Sequence, residues 1–168
     1  MWYVDSIGLV KTPRGVTLSG VQHPRNIFTL WSKADLAAIG IKPASITAVD
    51  QRYSNTGEIT WDTSGAEAVG TYGTTDKVAA DLKKSMTTSV QSQAGSFLSG
   101  SDWYVIRETE GGTACPADWT TYRAAVRTES NSKVTAIAAL ADLDAIIAFD
   151  AATPITAGWP NDPDYVAP

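Results

Sequence analysis

The chain has 168 residues, 43% hydrophobic and 18% charged, with 13 Lys and Arg against 18 Asp and Glu. This supports a folded core, and the net charge of −5 argues against non-specific nucleic-acid binding, which needs surplus cations to neutralise phosphates. The single cysteine, Cys115, excludes an internal disulfide, the sequence holds no Cys/His set for a structural zinc, and no apolar run approaches the roughly 20 residues that span a bilayer.

The opening Met1-Trp2-Tyr3-Val4-Asp5 lacks the basic and apolar segments of a secretory signal. Residues 1–73 hold six cations and six anions, so the whole excess of negative charge falls in 74–168, which holds seven against twelve. Residue type changes at the same place, from Gly, Thr and β-branched residues to Ala-rich stretches. The expected fold class is therefore α+β, a small β-rich N-terminal part followed by an α-helical C-terminal part. A β-rich docking domain over 1–73 precedes a helical domain over 74–150 and an extended Pro-rich tail over 151–168, the first junction lying near Gly70-Thr71-Tyr72-Gly73-Thr74.

In chain order, Ile7–Lys11 and Val16–Ser19 are β-favourable, and Thr12-Pro13-Arg14-Gly15 between them has turn chemistry, which predicts a hairpin. Ser32 caps a predicted helix over 33–39 with Asp35 as its third residue, and Gly40 supplies the left-handed stop. A second hairpin is predicted from Ile46–Tyr53 and Glu58–Trp61 around Ser54-Asn55-Thr56-Gly57.

From Thr75, the apolar residues Val78, Leu82, Met86, Val90, Ala94 and Phe97 fall on one stripe of a helix over 75–99. Residues 85–96 are rich in Ser, Thr and Gln, so that helix needs a packing partner. Ser101 is placed to cap a short helix over 102–110 that ends at Gly111-Gly112. Pro116 suits the start of the next helix, which carries Trp119, Tyr122 and Val126 on one face. Val134, Ile137 and Leu140 form a further apolar set, and Asp142 caps a last helix through Phe149. Four prolines follow Ala151, predicting an extended tail that lies against a surface through Trp159 and Tyr165.

Chemistry is sparse. His23 is the only histidine and stands in a loop-like stretch beside Pro24. Cys115 reads as a small buried residue. Asp102 with Glu108 and Glu110, and Asp142 with Asp144, are acid pairs that spacing alone does not place in a cleft. Asp162 and Asp164 lack a calcium-loop pattern, and no glycine-rich stretch matches a phosphate-binding fingerprint. No catalytic residue, cofactor site or metal ligand is expected.

Six tryptophans are the more informative feature. They fill cores, and with Tyr and Arg they also anchor protein contacts. Arg123 lies four residues after Trp119 and four before Arg127, a spacing that allows ring stacking, a two-armed clamp on a carboxylate, or an ordinary solvated face.

Ser101-Asp102-Trp103-Tyr104-Val105-Ile106-Arg107, then Glu110-Gly111-Gly112-Thr113, Pro116 and Trp119-Thr120-Thr121-Tyr122-Arg123-Ala124-Ala125-Val126-Arg127, resembles the C-terminal module of small tailed-bacteriophage tail-fibre and tail-assembly chaperone proteins. That family pattern is Ser/Thr-Asp-Trp, a gap, then Tyr-Arg-x-x-(Val/Leu)-Arg and a Trp-Pro segment, matched here by Trp159-Pro160. Pro24-Arg25-Asn26-Ile27-Phe28 with Trp31, followed by Leu36–Ile41, is similar to the N-terminal segment of the same proteins. The gap is longer here, and Asn161-Asp162-Pro163-Asp164-Tyr165 follows the Trp-Pro.

The resemblance implies a bacteriophage tail component, in a fibre or the tail tip, made in the host cytoplasm and carried in the virion. It would bind other phage tail or fibre proteins through the β-rich part and self-associate through helix 75–99, without nucleic acid, membrane or cofactor. A chaperone outside the virion that assists fibre assembly is the alternative, and a host-glycan binder a third possibility. In this picture Ser101 or Asp102 caps a helix, Trp103 and Tyr122 lock the short helices, and Arg123 and Arg127 pair with carboxylates.

Overall fold

The computed structural model describes residues 1–164, and the chain is α+β: strands belong to a first unit, Met1–Thr75, and the long helices to a second, Asp76–Pro168. The first unit begins with β1 (Trp2–Val4) and β2 (Gly8–Val10). They pair antiparallel, Trp2 opposite Val10. The turn between them closes with Ile7 N–H donating to Val4 O at 2.9 Å, followed by left-handed Gly8 (φ 88°), the arrangement of a glycine bulge.

β3 (Val16–Leu18) and β4 (Val21–His23) form a separate two-stranded sheet across Ser19-Gly20. Both turn residues have positive φ, 48° and 81°, as the two-residue hairpin geometry demands. The predicted hairpin between 7–11 and 16–19 is therefore corrected. Each of those segments pairs with a nearer neighbour through a shorter turn that has its own left-handed residue, and 11–15 carries the chain from one sheet to the other.

α1 (Ile27–Leu30) and α2 (Lys33–Ala38) follow. The Ser32 hydroxyl accepts from Asp35 N–H at 3.1 Å and Gly40 adopts φ 78°, so α2 starts and stops where its sequence signals stand; α1 was not foreseen. β5 (Ile41–Ile46) runs antiparallel to β1, and parallel to β7 (Ala68–Asp76) with Ala44 opposite Ala68. With β6 (Ser54–Asp62), the sheet order is β2-β1-β5-β7-β6. One core gathers Val4, Val10, Val16, Leu18, Ile27, Phe28, Leu36 and Ile41, drawn from both sheets and both short helices.

The second predicted hairpin is also corrected. Ser54-Asn55-Thr56-Gly57 is the first part of β6 rather than a turn. The partner of β6 is β7, the Gly/Thr stretch expected to be a junction, and the true turn is 63–67. The Lys42 ammonium fastens that turn by donating to Thr63 O and, at 3.1 Å, to Gly65 O. Gly70 is a packing requirement: a Cβ there would stand 2.7 Å from Ile59 Cδ1 and 2.9 Å from the Trp61 ring.

The second unit holds α3 (Ala79–Ser99), α4 (Asp102–Thr109), α5 (Ala117–Ala139) and α6 (Leu143–Ala152). α3 packs along α5. Of its predicted stripe, Val90 and Ala94 are buried and Leu82 and Met86 half-buried, whereas Val78 stands exposed ahead of the helix. The two apolar sets of 119–126 and 134–137 lie on one continuous α5, with Val126 and Ile137 fully buried. The Lys83 ammonium ties α3 to the end of α5, donating to Ala138 O at 2.9 Å and Leu140 O at 2.8 Å. Asp142 caps α6 by accepting from Ala145 N–H at 2.9 Å. That helix runs three residues past Phe149, and a turn with Ala157 N–H on Pro154 O follows, so the tail is not extended throughout. Tyr165 lies outside the described residues.

Candidate functional site: the Arg123 clamp and the α4 face

The carbonyls of the last turn of a helix and the N–H groups of the first turn have no partners within their own helix. Where α3 ends and α4 begins, two such ends meet, and Arg123 on α5 serves the corner. Its Nη1 donates to Leu98 O at 2.8 Å and to Ser101 Oγ at 2.6 Å, and its Nη2 to Asp102 Oδ1 at 2.8 Å. The guanidinium puts positive charge at the C-terminus of α3, and Asp102 puts negative charge in the first turn of α4, the favourable sense for both helix dipoles. A planar, multi-donor guanidinium suits such a three-acceptor corner, where an ammonium would not.

Arg123 is 7% exposed and Ser101 fully buried. Every fully buried side-chain N or O atom among the described residues has a hydrogen-bond partner, so the corner meets the requirement that buried polar groups be satisfied.

Ser101 has a different role from the expected one. It occupies the position before α4 but makes no side-chain cap; its hydroxyl donates back to Leu98 O at 2.9 Å and accepts from Arg123. Arg127 does not join the clamp: it is exposed and has no ion-pair partner among the described residues.

The aromatic residues divide between inside and outside. Tyr122 is buried and meets Trp119 edge to face at 5.6 Å, Trp119 meets Tyr104 at 5.8 Å, and Tyr104 stacks on Trp103 at 3.9 Å. Trp103 itself is 51% exposed, so the expectation that it locks helices together is corrected: Tyr104, Trp119 and Tyr122 do so, and Trp103 forms the outer end of the row. α4 buries none of its residues, and Val105 and Ile106 join Trp103 on its surface. Trp103→Ala should accordingly lower stability by about 1 kcal/mol or less, far below the cost of emptying a core site, as a thermal melt would show.

α4 is nonetheless held firmly. At its end, Gly111 N–H bonds Glu108 O at 3.1 Å and Gly112 N–H bonds Arg107 O at 2.9 Å, with Gly111 at φ 82°, the paired bonds of a Schellman motif. Arg107 lies over the Trp103 ring at 4.8 Å while its Nε donates to Thr113 O at 3.0 Å.

The Trp159-Pro160 segment is anchored separately. Trp159 Nε1 donates to Gln93 Oε1 at 3.0 Å, and its ring meets Phe97 at 5.2 Å. Buried Lys133 donates to Ala157 O at 2.7 Å, pairs with Glu129 at 3.0 Å and lies 5.5 Å from the Trp159 ring. Sequence reasoning missed Lys133; its only signal was the Glu129–Lys133 spacing, which reads equally well as a solvated pair. Pro160 lines a shallow cavity of about 390 Å³ with Asp118, Tyr122 and Pro163.

Burial pushes the Tyr122 hydroxyl above its ordinary value of 10.0, and the negative charge of Asp162 adds to the effect. The unfolded chain then loses this proton at lower pH than the folded one, so this contribution to stability is complete below about pH 10 and shrinks as pH rises beyond it. Urea midpoints compared on either side of about pH 10 should fall on the alkaline side in the wild type, and fall less in Tyr122→Phe.

Among the remaining candidates, His23 faces the edge of Trp31 at 5.7 Å, and Cys115 N–H donates to Glu108 Oε2 at 3.2 Å. Asp162 Oδ1 accepts from Asp164 N–H at 2.9 Å. No group of three or more His, Cys, Asp or Glu among the described residues could hold a metal ion, and no helix among them is long and apolar enough to cross a membrane. The class defined by fold and site is thus an α+β chain of two units whose motif residues make an internal clamp and an outward helix face. No protein-family model, curated protein or solved structure matches the chain.

Proposed function

We propose that the chain is a non-enzymatic structural component of a bacteriophage tail, in the fibre or the tail tip, that contacts neighbouring tail or fibre proteins and other copies of itself. The observation that carries this reading is the division of labour within the motif. Arg123, Ser101 and Asp102 are used up in holding α4 in place, and Trp103 is left on its outer surface. Tryptophan and arginine on a rigid support are the residue types that anchor protein interfaces. Immobilising α4 in the free chain lowers the ordering cost of association.

The chaperone reading called for an apolar stripe on α3 open to a client. Val90 and Ala94 of that stripe are buried in the fold, which closes its middle both to a client and to the self-association through helix 75–99 that the structural reading expected. The protein would reside in the virion after synthesis in the host cytoplasm. Quantitative mass spectrometry of purified particles tests this: a fixed stoichiometry per particle is expected. A chain that co-purifies with fibre proteins from infected cells yet is missing from particles would instead be an assembly chaperone.

A further inference from the structure

The balanced charge of the first unit conceals a concentration of cations. Between Asp5 and Asp35 the chain has no acid, yet it holds four of the unit's six cations, Lys11, Arg14, Arg25 and Lys33. The other two are engaged within the unit, Lys42 on Thr63 O and Gly65 O and Arg52 on Asp50. Lys11, Arg14 and Arg25 are exposed and make no ion pair or side-chain hydrogen bond among the described residues.

The fold brings these three together. β3 pairs with β4 so that Val16 stands opposite His23. The same register carried two residues past the strand ends sets Arg14 opposite Arg25. The two backbones stay close there, since a Cβ on Gly15 would stand 3.4 Å from His23 O. Two shallow cavities meet along this edge, both walled by Thr12 and Pro13. One, of about 380 Å³, adds Lys11 and Arg14; the other, of about 310 Å³, adds Arg25 and Asn26. No carboxylate lines either of them. Like charges set across from one another on paired chains cost stability, so cations on both sides of an acid-free groove leave the balancing charge to come from outside.

We propose that this groove docks an acidic segment of a neighbouring protein, its carboxylates held between Arg14 and Arg25 with Lys11 beside them. A guanidinium offers parallel donors that match a carboxylate as a fork, and Thr12 and Asn26 add neutral hydrogen-bonding groups to the walls. Three cations balance a few carboxylates. Nucleic acid would have to lie against a chain of net charge −5 and would find few of its phosphates neutralised. Complementary charge of this kind governs the choice and orientation of a partner more than raw affinity. The groove belongs to the first unit and uses neither α4 nor the Arg123 clamp, so the inference goes beyond the function proposed above and does not depend on it.

Fluorescence anisotropy of a labelled oligoglutamate peptide, titrated with the full chain at low salt, tests it. Saturable one-to-one binding is expected, weakening as salt is raised. Arg14→Gln combined with Arg25→Gln should raise the dissociation constant about tenfold or more. Both sites are exposed and the change relieves a like-charge pair, so the thermal melt should not fall. Lys11→Gln with Arg25→Gln is a second exposed pair with the same expectation. Arg127→Gln, which removes an exposed cation from the second unit, should leave binding unchanged. Absence of saturable binding, wild-type affinity in both double variants, or an equal loss in Arg127→Gln overturns the proposal. An oligothymidylate of matching charge that binds more tightly than the peptide through the same arginines would assign the groove to phosphates and overturn it as well.

Discussion

Arg123→Ala is expected to lower the stability of the helical unit by about 3 kcal/mol or more, the cost of removing one partner from a buried ionic hydrogen-bond cluster. The substitution strips three acceptors at once. Leu98 O keeps the Ser101 N–H and hydroxyl, Ser101 Oγ loses its donor inside the protein, and Asp102 loses its ion pair. Asp102 remains partly in water, so most of the loss comes from the buried Ser101 hydroxyl and the space left by the buried Arg123 side chain rather than from the charge pair. For a unit of this size the melting temperature should fall by roughly 12 °C or more. Arg123→Lys should restore only part of it, since one ammonium cannot replace two guanidinium nitrogens aimed at separate acceptors. Thermal unfolding followed by circular dichroism measures both variants, and an unchanged melt for Arg123→Ala would show that the corner stands without its clamp.

The second large effect is expected in the first unit. Leu36 on α2 is fully buried within the single core that joins both sheets to α1 and α2. Leu36→Ala should cost about 2–5 kcal/mol, the usual range for deleting such a side chain and leaving a cavity behind it. The value depends on how far Ile41 and Phe28, members of the same core, can close over the space. Urea unfolding should show a lower midpoint with little change of slope. A loss under about 1 kcal/mol would mean that α2 is not a required wall of that core.

The helices were the legible part of the sequence because their signals are local. Ser32 and Asp142 cap the helices they were expected to cap, and Gly40 and Gly111 take the left-handed conformation that ends one. Strand pairing was legible only in part. The sequence marks β-favourable segments, but partner choice depends on which turn closes at least cost, and Ser19-Gly20 and the bulge at Gly8 outcompeted the longer Pro-Gly connection. β7 was hidden because glycine weakens strand propensity; Gly70 is present to admit Ile59 and Trp61, a reason visible only once β6 lies beside it.

The same limit applied at the candidate site. Spacing allowed Arg123 a ring stack, a carboxylate clamp or a solvated face without choosing among them, and the Ser101-Asp102 corner is 21 or more residues away in sequence. Trp103 was expected inside because its type fills cores. Whether a given tryptophan is wall or surface depends on which side of α4 faces α5, and a helix of eight residues does not reveal that by its pattern.

Incorporation of Ile106→Asp into particles tests the central claim, that α4 works as an outward contact surface, most directly. The variant leaves the clamp and core intact, and with wild-type stability in solution it is expected to be depleted from purified particles in which the wild-type chain is present at fixed copy number. A variant incorporated as fully as the wild type would contradict the account.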